Sequence, residues 1–60
     1  MSRYRFCSVA HQREFEEILA EYGVDFRVDG PEVEALFETE WLRPLAHDLG
    51  AADVALGSMQ

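Results

Sequence analysis

The sequence predicts a small single domain of the α/β or α+β class, in which a strand–helix–strand (βαβ) unit precedes one or two helices and a short third strand. Two segments alternate polar and apolar residues with a period of two, which is typical of half-buried strands. The segment between them repeats apolar residues with the period of a helix. Because 60 residues form one core at most, we expect one domain over residues 1–60, with the last few residues frayed.

The first strand is predicted at residues 3–8, where Tyr4 and Phe6 alternate with basic or small residues. A helix follows in the segment VAHQREFEEILAEYG, because four apolar residues of this segment fall on one helical stripe. They are Phe15, Ile18, Leu19 and Tyr22. Ser8 suits the N-cap position, and Gly23 suits the left-handed position that often ends a helix.

The second strand is predicted at residues 24–29, where valine and phenylalanine alternate with charged residues. We expect Arg3 and Arg5 of the first strand to lie beside acidic residues of the second, because opposite charges on neighbouring strands stabilise a sheet. These acidic residues are Asp25 and Asp29. Since a helix connects the two strands, the prediction is a parallel pair with a right-handed crossover.

A second helix is predicted to start after the turn in DGPE, with Pro31 at its first position. Its apolar face consists of Val33, Leu36, Phe37 and Trp41. Pro44 predicts a break between residues 39 and 44, because proline cannot donate the helical hydrogen bond. Four side chains are expected to be buried in the core: Phe15, Leu19, Phe26 and Phe37.

The last third of the chain is predicted to contain a short helix and a short strand. The helix covers about residues 44–49 and ends at Gly50. The strand is expected at about residues 54–56, although a frayed end or an extended helix fits the same composition.

The chain is strongly acidic, with twelve acidic residues, five arginines, no lysine and a formal charge of −7. This charge argues against direct binding to nucleic acid, whose phosphates need a cationic surface. Solubility, a coding preference for arginine and a salt-rich cytoplasm each explain the same charge without a binding role. We expect a cytoplasmic protein with a reduced Cys7, because no secretory signal and no membrane-spanning run is apparent.

Acidic residues at helical spacing form the candidate binding surface. Glu14, Glu17 and Glu21 form a ridge on the first helix, away from its apolar stripe, and Glu34 and Glu38 are expected to do the same on the second. Aromatic and apolar contacts would come from the adjoining residues, Trp41 and Leu42. The alternative is an ordinary solvated face.

Metal binding and catalysis receive little support from the sequence. Cys7, His11 and His47 are the soft metal ligands, whereas a structural zinc site usually needs four. No orienting third group accompanies a cysteine–histidine pair, and the glycines are isolated, so no phosphate loop is indicated. We therefore expect no cofactor, no metal and no enzymatic activity.

These patterns favour a small acidic protein-binding module that regulates or inhibits a larger partner with a basic surface. Mimicry of nucleic-acid charge, as in phage-type inhibitors, is one way for such a module to act. No direct contact with nucleic acid or membrane is expected. The alternative is a homo-oligomeric structural or ligand-sensing domain, such as a homodimer joined through its sheet edges, whose acidity serves solubility.

Overall fold

The computed structural model describes residues 2–54, which form a four-stranded antiparallel sheet with two helices packed on one face. The elements are β1 (Ser2–Arg5), α1 (Val9–Glu21), β2 (Phe26–Asp29), β3 (Glu32–Ala35), α2 (Leu42–Asp48) and β4 (Ala52–Val54). Their order in the sheet is β2-β3-β1-β4. A small single domain of mixed helices and strands is therefore confirmed, in its α+β form.

The predicted parallel pairing of the first two strands is wrong. β1 and β2 are not neighbours, because β3 lies between them and pairs antiparallel with both. After α1, the chain enters the sheet as β2, two positions from β1. The β2–β3 hairpin then places β3 between β2 and β1. Both β2 and β4 are edge strands of the sheet.

The helix predicted after Pro31 is also wrong, because residues 32–35 form β3. Asp29 pairs with Glu32, so that Gly30 and Pro31 form a two-residue hairpin loop. Gly30 has a φ of 60°, as the first central position of a type II′ turn requires. A signal was present in the sequence: glycine at the first position of a two-residue loop between two alternating runs indicates a hairpin.

The first helix forms as predicted. Its N-cap is Ser8, whose hydroxyl accepts a hydrogen bond from the backbone N–H of His11 at 3.3 Å. At the other end Gly23 has a φ of 74°, and its N–H donates to the carbonyl of Ala20. These local signals act over a few residues and do not depend on the rest of the fold.

The last two elements lie close to their predicted positions. α2 begins two residues before Pro44, which is tolerated because it lies in the first helical turn. Gly50 follows α2 with a φ of 81°. A short strand is confirmed as β4, while residues 55 and 56 of the predicted strand lie outside the described residues.

The core lies between the sheet and both helices. Phe15 and Leu19 are fully buried as predicted, and the Phe15 ring meets that of Tyr4 edge to face at 5.7 Å. Phe26 is only partly buried, and Phe37 is 63% exposed, so its predicted burial is wrong. Alternation along β3 directs Val33 and Ala35 into the core, and Phe37 lies beyond the end of this strand.

Candidate functional site

Charge is distributed unevenly between the two sides of the molecule. The outer face of the sheet, opposite the helices, carries three arginines and three acidic residues: Arg3, Arg5, Arg27, Asp29, Glu32 and Glu34. Their charges cancel. The two remaining arginines and nine remaining acidic residues belong to the helices, the loops and β4, so the entire charge of −7 resides there. We refer to the surface of α1, α2 and their flanking loops as the helical side.

The outer face of the sheet is a network of ion pairs between β1 and β3. Arg3 donates to Glu32 at 3.0 Å and to Glu34 at 3.3 Å, and Arg5 donates to Glu32 at 3.0 and 2.5 Å. Hydrogen bonds from Arg5 and then Arg3 lower the pKa of Glu32, and the bond to Glu32 raises the pKa of Arg3. The arginines and glutamates of this face thus neutralise one another.

Two expectations about individual charges are corrected by this network. Arg3 and Arg5 pair with acidic residues of β3 because β3, not β2, is the neighbour of β1. Asp29 lies 3.8 Å from Arg3, at the margin of an ion pair. Glu34 belongs to the network, and its side chain is only 14% exposed, so it does not form an acidic ridge with Glu38.

The acidic ridge on α1 is exposed to solvent. Glu14, Glu17 and Glu21 follow one another at helical spacings of three and four residues. Among residues 2–54, none of the three has an ion-pair partner within 4.0 Å, and Arg13, one turn before Glu17 on the same helix, does not pair with it. The ridge therefore presents uncompensated negative charge.

The ridge also opposes the dipole of its own helix. No acidic residue lies in the first turn of α1, and no basic residue lies in the last. Glu21 is instead the last residue of the helix, where the dipole is already negative. Glu21 is thus placed against the preference that would stabilise the helix.

A groove between the C-terminal half of α1 and the start of α2 adjoins the ridge. It has a volume of about 440 Å³ and is lined by Ile18, Glu21, Tyr22, Trp41 and Leu45. The ring centroids of Tyr22 and Trp41 lie 5.3 Å apart, with an angle of 51° between the ring planes. We refer to this as the aromatic groove; Glu21 belongs both to it and to the ridge.

The other predicted contact residues differ in their accessibility. Trp41 is half-buried and lines the groove, whereas Leu42 is completely buried in the core and cannot contact a partner in the folded protein. Glu38 is exposed beyond β3 and accepts a hydrogen bond from the hydroxyl of Ser2. The helix expected to carry these residues in one row is absent because β3 replaces it.

The sequence-based hypothesis missed the binding potential of Tyr22. It was assigned to the buried stripe of the first helix, but 68% of the residue is exposed. The available signal was its position next to Gly23, at the helix end, where the stripe passes beyond the sheet. Its contact with Trp41, 19 positions away, was not apparent from local patterns.

The soft metal ligands do not assemble in the part of the chain that the structure describes. No cluster of three or more histidine, cysteine or acidic side chains suited to a metal ion occurs among residues 2–54. Cys7 and His11 are exposed near the start of α1. His47 lies on α2, where its Nε2 is 3.3 Å from a carboxylate oxygen of Asp53.

Neither described helix is long and apolar enough to cross a membrane. Comparison of the chain with protein-family models gave no match, and comparisons with curated proteins and with solved structures gave none either.

Proposed function

We propose that this chain is a small acidic protein-binding module that regulates or inhibits a larger partner by docking its helical side on a basic surface of that partner. One observation carries the proposal: all of the net charge lies off the neutral outer face of the sheet, with unpaired glutamates beside an aromatic groove. A charge needed only for solubility has no reason to be balanced on one face and unbalanced on the rest of the surface.

The ridge supports a basic partner in particular. Glu14, Glu17 and Glu21 hold three carboxylates in a row, with about 5–6 Å between Cβ atoms of successive members. Such a row is complementary to a cationic channel that otherwise holds phosphates, so the partner we propose is a protein that itself binds nucleic acid. Like-signed charge concentrated on one side also accelerates encounter with a surface of opposite sign.

A homo-oligomeric domain is the second candidate, and the edge strand β2 favours it. Its backbone pairs only with β3 among the described strands, and Val28 on this edge is 50% exposed. An open edge can pair with a second copy of the chain. In that case the helical side would stay solvated, and its charge would serve solubility.

Matched charge reversals on the two sides separate these candidates. Glu17→Lys and Asp29→Lys change the net charge equally, but Glu17 lies on the ridge and Asp29 on the outer face of the sheet. The immobilised protein is used to capture partners from the cells that produce it, and the captured proteins are challenged with duplex DNA and with salt.

The proposed function predicts a captured protein that DNA and salt both release, that Glu17→Lys loses and that Asp29→Lys retains. The slope of the association rate against ionic strength should be shallower for the Glu14, Glu17 and Glu21 triple lysine variant than for wild type. Equal capture by both single variants, with superimposable salt dependences, would refute a role for the ridge. Self-association that Asp29→Lys disrupts would support the second candidate.

A further inference from the structure

We propose that the aromatic groove receives one arginine side chain from the basic surface of the partner. This inference rests on the proposed function and names the chemical group that the helical side recognises. The groove combines an apolar floor, two aromatic rings and a carboxylate, and each of these matches a different part of an arginine side chain.

The floor and the size of the groove fit an extended aliphatic chain. Ile18 and Leu45 are both partly buried and offer apolar surface for the methylene groups of the arginine. A volume of about 440 Å³ is small within the range of roughly 300–1,000 Å³ typical of ligand sites. The groove therefore accommodates a single side chain rather than a folded segment.

The two rings fit the planar guanidinium group. Tyr22 and Trp41 contact each other at an angle, and Tyr22 keeps 68% of its surface exposed. A cation within about 6 Å of such a ring is attracted by its π electrons, most strongly by tryptophan, and arginine makes this contact more often than lysine. Arginine can also stack its plane on the ring, which an ammonium group cannot do.

Negative charge at the groove completes the match. Glu21 lies on its rim and has no ion-pair partner within 4.0 Å among the described residues. The C-terminal end of α1 adds the negative end of the helix dipole, and no basic residue in its last turn offsets it. A guanidinium group from a partner would compensate both.

A second cavity among the described residues lacks the aromatic rings of the aromatic groove. It has a volume of about 500 Å³ on the opposite flank of α1, and its lining includes Arg13 together with Glu16 and Glu17. The side-chain amide of Gln12 in this cavity already donates to the carbonyl of Gly30 at 2.8 Å, which ties α1 to the hairpin loop. This cavity thus offers no ring on which a guanidinium group could stack, and part of its lining serves an internal contact.

The test uses the fluorescence of Trp41, the single tryptophan of the chain. Wild-type protein is titrated with an oligoarginine peptide and with an oligolysine peptide of equal length. Both carry the same charge, so attraction to the ridge alone makes them equivalent. We expect the oligoarginine peptide to bind about twofold to fivefold more tightly and to change the Trp41 emission.

Variants of the groove identify the origin of this preference. Tyr22→Leu should reduce the preference for arginine, because Trp41 alone then remains to stack on the guanidinium group, and should leave the salt-dependent binding of both peptides. Tyr22→Phe keeps the ring and should retain the full preference. Glu21→Gln should weaken binding of the arginine peptide more than Glu14→Gln, which removes the same charge farther from the groove. Circular dichroism establishes that each variant is folded.

Equal affinity for the two peptides, or a preference that Tyr22→Leu leaves undiminished, would overturn the arginine assignment. In both cases, binding that weakens with salt and with Glu17→Lys would leave the proposed function intact. If neither peptide binds in a salt-dependent manner, or if Glu17→Lys has no effect on binding, the proposed function fails as well.

Discussion

Replacing Glu21 by glutamine should stabilise the folded protein while weakening its binding to a basic partner. Glu21 is the last residue of α1, and its carboxylate lies at the negative end of the helix dipole. It also follows Glu17 by one helical turn, so the two carboxylates repel each other. Glutamine removes both effects with little change in side-chain size.

The magnitude can be estimated from these two interactions. An unfavourable charge at a helix terminus costs about 0.3–1 kcal/mol, and a like-charged pair one turn apart costs about 0.2–0.5 kcal/mol. Glu21→Gln should therefore raise the free energy of unfolding by about 0.5–1.5 kcal/mol. For a domain of this size, each kcal/mol corresponds to a rise in Tm of about 4–8 °C.

Glu14→Gln is the matched control. Glu14 also has one like-charged neighbour, Glu17, but it lies in the middle of α1, away from the terminus. Its replacement should stabilise the protein by only about 0.2–0.5 kcal/mol, and the difference between the two variants isolates the dipole contribution.

Urea denaturation at low salt and at 1 M salt measures both effects. The two gains should shrink at high salt, where charges are screened within about 3 Å. A Glu21→Gln variant that is less stable than wild type, or equal to Glu14→Gln at low salt, would refute the reasoning. Lower stability would mean that the Glu21 carboxylate stabilises the fold of the isolated chain, and equality with Glu14→Gln would mean that the helix dipole contributes nothing at this position.

Three further predictions concern the fold. Phe15→Ala should lower the free energy of unfolding by about 3–5 kcal/mol in urea denaturation, which approaches the whole stability of so small a domain. Phe37→Ala should change the free energy of unfolding by less than about 0.5 kcal/mol. Similar losses for both variants would contradict the observed core. Hydrogen bonds from two arginines lower the pKa of Glu32, so its stabilisation is complete above its usual pKa of 4.5 and disappears as the pH falls through the lowered value. Urea denaturation from neutral pH to about pH 3 should show a smaller loss of stability for Glu32→Gln than for wild type, and equal losses would argue against the network. Gly30→Ala should destabilise the hairpin by about 1–2 kcal/mol through its φ of 60° alone, because an added Cβ meets nothing within 4 Å; thermal denaturation that leaves Tm unchanged would contradict the turn.

The placement of Glu21 at the end of α1 lowers the free energy of unfolding, and no ion pair among the described residues offsets this loss. A sequence shaped for stability alone would place acidic residues in the first turn of α1 and basic residues in the last. Positions that break a local rule in this way are more frequent at functional sites than elsewhere. The same reasoning links the stability predictions for Glu21 to its proposed role in the groove.

Residues 32–35 show why part of the fold escaped prediction. The run Glu-Val-Glu-Ala is short, and its composition suits either a strand or the first turn of a helix with acidic residues at its positive end. Proline after glycine fits both a hairpin loop and a helix start. Pairing with β1 and β2 on both sides stabilises the strand, and the pairing with β1 joins residues about 30 positions apart.

Features with local sequence signals could be predicted. The caps of α1 and the net charge each depend on neighbouring residues or on composition alone. The break predicted between residues 39 and 44 is wrong, because β3 replaces the helix that it was to interrupt and α2 already begins at Leu42. The location of the charge depends on the tertiary structure. The neutral face exists because β3, not β2, pairs with β1, and the aromatic groove exists because the chain brings Tyr22 against Trp41. Such contacts depend on the packing of distant segments, which local periodicity does not encode.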